Sequence, residues 1–167
     1  MMSNKQAVQS VETTLEQIIA IAEKLPDEVV RYKPAEDKWS VLEVLCHLEE
    51  ALPYWLEEIQ RVVAAPGSEW GRGLTHEGRL QAVAEANSRS LDDVLPKLGA
   101  VKRLIRETLT SISEEALQQQ APSRNPRFGT KPLQFIVDHL LVEHAATHLA
   151  QINRNIHQYN ESHSTQK

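Results

Sequence analysis

Four long stretches of this sequence repeat apolar residues at three- and four-residue steps, and none reads convincingly as a strand. Such periodicity confines a chain to helices packed on helices, because each apolar stripe must be covered by another. In the first stretch, residues 3–25, the stripe is Val8, Val11, Leu15, Ile18, Ile19, Ala22 and Leu25, and Pro26-Asp27 ends it. Residues 28–38 form a connection with room for one extra turn. The second stretch runs from Ser40 to about Val63 on Leu42, Leu45, Leu48, Leu52, Leu56 and Ile59. Ser40 with Glu43 is a capping box, and Trp39 before it can staple the helix entry. Pro53 inside the pattern should kink the helix or cost a hydrogen bond.

Ala65-Pro66-Gly67-Ser68 breaks the pattern, and Gly71, Gly73 and Gly78 keep the adjoining loop irregular, with Trp70 in it. A third helix is expected from near residues 75–80 to Ile112, bent at Pro96 and Gly99. A short turn over residues 113–119 and a loop over 120–129 lead to the fourth helix. There Thr130 should cap and Pro132 sit in the first turn, with the helix continuing to Tyr159. The expectation is an all-α four-helix bundle, one domain over residues 1–159, with a polar disordered tail over 160–167. The connections are long, so periodicity forces no particular helix order.

Charge and cysteine usage narrow the function. A formal net charge of −5 makes a nucleic-acid backbone a poor partner. The single cysteine, Cys46, permits no internal disulfide and fits a reducing compartment. The first residues lack the apolar run of a signal peptide, and no run approaches a membrane span. These features predict a cytoplasmic protein with neither nucleic-acid nor membrane partners.

The fourth pattern carries the chemistry. His144 and His148 lie four apart, so their side chains diverge by only about 40° and share one face. Two imidazoles at this spacing can bind one metal ion, with a further ligand from elsewhere. The best upstream donor is His47, on the second helix beside its leucine stripe. Buried imidazoles without partners would cost on the order of a few kcal/mol, which a metal would offset. Ala145 follows His144, so the general base of the His-Glu-x-x-His proteases is missing. His139 is rotated away from the shared face and should miss the metal, while His76, His157 and His163 read as solvated. Glu43, one turn before His47, could orient that ring or relay a proton, although the capping box claims the same side chain. Gln151 is either a partner of a ligand or plain helix packing. Cys46 reads as a small buried side chain, and the arginines over residues 124–127 could rim a pocket for an anion.

The Trp39-Ser40-Val41-Leu42-Glu43-Val44-Leu45-Cys46-His47-Leu48 segment, paired with the late His144-x-x-x-His148-Leu-Ala-Gln-Ile segment, resembles the DinB-like superfamily. Within it the likeness is nearer to YfiT-type and bacillithiol-transferase-like members. The resemblance spans nearly the whole chain in helix order. It implies an up-down-down-up bundle holding a divalent metal, commonly zinc or nickel, on His47, His144 and His148, and often a homodimer. Relatives include thiol S-transferases, thiol-dependent isomerases and proteins assigned as metal-dependent hydrolases. Several carry Gly where Ala150 precedes Gln151 here, a change that removes no ligand.

Three neutral imidazoles leave a divalent metal open positions, the pattern of a catalytic site. The first expectation is therefore a transferase that activates a low-molecular-weight thiol against a small electrophile. A metal-dependent hydrolase and a non-catalytic metal- or ligand-binding bundle are the alternatives.

Overall fold

A computed structural model of the chain describes residues 3–164. Its long helices are α1 (Asn4–Ala22), α3 (Val41–Ala64), α5 (Leu91–Thr110) and α6 (His144–Ser164), the last preceded by a π-helical segment, Ile136–Glu143. Two short helices, α2 (Asp27–Val30) and α4 (Glu77–Ala84), lie in the connections. Both capping boxes in the bundle close. Ser40 N donates to Glu43 Oε1 at 2.8 Å and Glu43 N to Ser40 Oγ at 3.1 Å. Ser3 and Gln6 make the same reciprocal pair at the start of α1.

Contacts along the helices fix their directions. Arg106 pairs with Glu12 and Lys102 with Glu16, so α5 runs antiparallel to α1. Asn155 Nδ2 donates to the Trp39 carbonyl at 2.7 Å while His148 and His144 meet His47, so α6 runs antiparallel to α3. Arg89, just before α5, bonds Glu49, and Arg124, beyond its end, bonds Glu58; α3 and α5 therefore run parallel. The order is up-down-down-up. The two stripes named from periodicity face the core: Val11, Leu15 and Ile18 from α1 and Leu45, Leu52 and Ile59 from α3 are buried, with Ile19 and Leu25 partly so, and Leu98 and Ile105 from α5 and Leu141 and Ile152 from the last helical stretch meet them. Helix α3 continues unbroken through Pro53.

Several boundaries differ from the sequence expectation. The third helix is two helices: α4 ends at Ala84, a 3-10 turn follows over Ala86–Ser88, and extended backbone at Arg89 and Ser90 separates it from α5. Pro96 and Gly99 lie inside α5, not at the break. Thr130 begins a strand, not a helix. Thr130–Pro132 pairs antiparallel with Gln120–Pro122, as strands β2 and β1 of a small hairpin. A proline at each strand end contributes no amide donor, which suits so short a ladder. Helix α6 persists to Ser164, so residues 160–164 of the expected tail are helical, and residues 165–167 lie outside the described residues.

The hairpin is stitched to the loop after α3. Trp70 is fully buried; its backbone N donates to the Pro122 carbonyl at 3.0 Å and its indole N–H to the Ala121 carbonyl at 2.9 Å. Gly71 comes next at φ +92°, a left-handed conformation in which a side chain would also touch Ser123 and the Trp55 ring. These two connections meet over one side of the bundle.

Candidate metal centre

Helix α3 delivers His47, and the start of α6 delivers His144 and His148 one turn apart. The structure brings all three together. His144 Nε2 stands 3.1 Å from His47 Nε2 and 2.9 Å from His148 Nε2. Nitrogens sharing one tetrahedral ion at bonds of about 2.0–2.1 Å stand about 3.3 Å apart, within a few tenths of an ångström of these separations. His139 is exposed, packs on Phe135 and bonds Glu143, outside the cluster as expected. Among the described residues, no other group of three such side chains converges.

Hydrogen bonds decide the tautomers. His144 Nδ1 donates to the Leu140 carbonyl at 3.3 Å, and His148 Nδ1 donates to Gln151 Oε1 at 2.7 Å. The π-helical segment contributes here: the His144 backbone N–H bonds back to His139 and Leu141, not to Leu140. Segments of this kind recur at functional sites. With both protons on Nδ1, two Nε2 lone pairs face each other at 2.9 Å. That arrangement is repulsive, and either a proton or a metal cation would relieve it. Protonation is opposed. Burial, then the neighbouring His144 and His148, push the His47 pKa down to about 2. Burial, then His148, pushes His144 down to about 4, and burial also lowers His148. Three neutral imidazoles with converging Nε2 atoms, two of them left with lone pairs by their Nδ1 partners, fit a divalent metal ion.

His47 differs from the other two rings in having no partner on its buried Nδ1 among the described residues. Glu43 does not supply one: its carboxylate caps Ser40 and lies 3.5 Å from Lys33 Nζ. The capping box is thus what Glu43 does, whereas Gln151 is the side chain that orients His148. Trp39 packs its indole against His47 and His148, with ring centres 4.9 and 6.2 Å away.

The cluster forms the floor of a cavity of about 500 Å³. The bundle supplies Ala51, Trp55 and Leu140; the Trp70 loop and α4 add Arg72, Leu74 and Arg79; the hairpin adds Asn125, Arg127 and Phe128. Arg127 was legible as a pocket rim, but Arg72 and Arg79 were not. Their only sequence signal was the glycine-flanked setting of Arg72. Among the described residues, no Asp or Glu lines the cavity.

A sequence profile of the DinB superfamily matches residues 10–152. No curated protein sequence gives a significant match. Among solved structures, the fold is similar to that of YfiT from Bacillus subtilis, described as "a probable metal-dependent hydrolase with an unusual four-helix bundle topology". The TM-score is 0.81 over 96% of this chain and 91% of that one, at 13% identity. With a profile match along most of its length, this fold and three histidines converging at the expected positions, the chain belongs to the DinB superfamily.

Proposed function

We propose that this protein is a metal-dependent transferase that joins a low-molecular-weight thiol to a small electrophile held in the cavity above His47, His144 and His148. A divalent ion on these rings, zinc or nickel by the donor set, would supply the positive charge that favours a thiolate at neutral pH. The observation that carries the reading is the cavity wall, which among the described residues contains no carboxylate and no titratable base other than the three rings. Water attack on an ester calls for a group to take and return a proton. A thiol calls for less: its proton goes to solvent, its sulfur bonds the electrophilic carbon, and a leaving group departs with its electron pair. Trp55, Phe128 and Leu140 would exclude water and hold the apolar part of the electrophile. Gln151 would keep His148 oriented. The buried, unpaired Cys46 suits a reducing cytoplasm.

Hydrolysis is the second reading, favoured by the description of YfiT and the shared fold. One assay separates them. Metal-loaded wild type and His148→Ala are compared on an activated aryl chloride with a panel of thiols, and on an aryl ester without thiol. The expected result is thiol conjugation by wild type at least tenfold faster than by the variant, with the ester untouched. Equal conjugation rates sink the transferase reading; ester cleavage that depends on His148 establishes the hydrolase.

A further inference from the structure

Three arginines line a cavity in a chain whose net charge is −5, and among the described residues no acidic side chain joins them there. They are not equivalent. Arg72 is buried and already neutralised: its guanidinium grips the Glu50 carboxylate through both terminal nitrogens and lies 4.0 Å over the Tyr54 ring. Arg79 is half-buried, yet its one hydrogen bond among the described residues is to a neutral acceptor, the Leu74 carbonyl at 3.1 Å. Arg31, Arg61, Arg72 and Arg89, the other arginines at least partly buried among the described residues, each pair with a carboxylate. Arg127 is exposed at the rim and rests 5.7 Å over Phe128, also without a carboxylate among the described residues. Burial and the charge of Arg72 both weigh against the cation on Arg79 and lower its pKa. Glu50 offsets part of this from a distance, but no carboxylate bonds Arg79 among the described residues, and a half-buried guanidinium without such a partner costs free energy that an anionic ligand would recover.

We propose that the electrophile is an organic oxyanion, a carboxylate or phosphate on an apolar or aromatic body, whose charged group is held by Arg79 and Arg127. Arg72, neutralised by Glu50, is the fixed support of this wall and leaves the anion to Arg79 and Arg127, while Phe128 and Trp55 receive the body. A planar fork matches a carboxylate or phosphate edge with paired hydrogen bonds. A volume of about 500 Å³ falls in the range of small-molecule sites. The proposal rests on the reading that the cavity holds the electrophile, but it can be tested without turnover.

The test is calorimetric binding to metal-stripped protein, so that an anion cannot simply ligate the ion. The probes are 3-nitrobenzoate, its neutral counterpart 3-nitrobenzamide, and 3-nitrophenyl phosphate. Proteins are wild type, Arg79→Gln, Arg79→Lys and Arg127→Gln, each checked for unchanged helical circular dichroism. The benzoate or the phosphate should bind wild type at least tenfold more tightly than the amide. Whichever binds more tightly identifies the oxyanion. Arg79→Gln should abolish that preference, Arg79→Lys should retain part of it, and Arg127→Gln should reduce it several-fold. Equal binding of amide and anions to wild type would overturn the proposal, as would a preference that survives Arg79→Gln. Selective anion binding in a protein that conjugates no thiol would retain this site while rejecting the transferase reading. Conjugation of neutral and anionic aryl chlorides with equal kcat/KM would reject the anion site and leave the transferase standing.

Discussion

His148 points one nitrogen at the cluster and the other at Gln151, 2.7 Å away, so the amide fixes which nitrogen carries the proton. Removing such a partner typically costs ten- to a hundredfold in metal affinity. Gln151→Leu should therefore weaken zinc binding by about that factor, measured by competition with a chromogenic chelator. An unchanged affinity would reduce Gln151 to packing. Glu43→Gln serves as the contrast. It keeps an oxygen for the Ser40 amide and should leave metal affinity unchanged, because Glu43 reaches no ligand ring. At this scale the cluster was legible: four-residue spacing put His144 and His148 on one face, and His47 beside the leucine stripe was the best upstream donor, a choice the family resemblance repeated. The tautomers were not, because they depend on which acceptors the folded backbone leaves free. In the π-helical register the His144 amide bonds His139 and Leu141 and its ring takes the Leu140 carbonyl, a register that side-chain periodicity does not announce.

At the scale of elements, Glu58 ties the roof of the cavity to the bundle. From α3 it accepts hydrogen bonds from the Gly71 amide at 2.8 Å, from Arg61 and from Arg124 beyond β1. Burial alone would raise its pKa, but the Arg61 and Gly71 hydrogen bonds outweigh that and lower it. A carboxylate depressed in the folded state contributes stability above its unfolded pKa of about 4.3, and that contribution is lost as pH falls through the folded value. Glu58→Gln should thus lower stability at pH 7 by roughly 1–3 kcal/mol and flatten the acid limb of the curve below about pH 4.3. Urea midpoints from pH 3 to 7 on both proteins check this; parallel curves would show that Glu58 carries no such linkage. The roof itself was hidden in the sequence. Helices announce themselves through local periodicity and caps, as Ser40 and Glu43 did, whereas β1 and β2 are three residues each and exist through the pairing of Gln120 with Pro132, Ala121 with Lys131 and Pro122 with Thr130. Thr130 and Pro132 make a plausible helix start in isolation, and tertiary pairing overrides it. The break before α5 was misplaced for a related reason. Pro96 and Gly99 are conspicuous locally, but the chain turns at Arg89, whose guanidinium is held by Glu49 from another helix.

For the whole molecule, the question is whether an ion held by His47, His144 and His148 would build the bundle or only use it. The four helices bury Val11, Leu15, Leu45, Leu52, Ile59, Leu98, Ile105 and Ile152 against one another, far more apolar surface than the site covers. Only α3 and α6 furnish histidines to the site, while α1 and α5 are held by their own stripes and by ion pairs such as Lys102 with Glu16. The fold should accordingly survive without the ion. A ligand at a hundred times its Kd adds about 2.7 kcal/mol to stability, which in a domain of this size is roughly 5–10 °C in Tm. Chelation should lower the Tm of wild type by about that much and leave helical circular dichroism at 25 °C intact. The same chelator should do nothing to His148→Ala, whose own Tm tells whether the ring also packs. Unfolding of wild type at 25 °C on chelation would contradict this and make the ion a structural part of the bundle. A chelator shift of equal size in His148→Ala would place the stabilising ion away from these three rings.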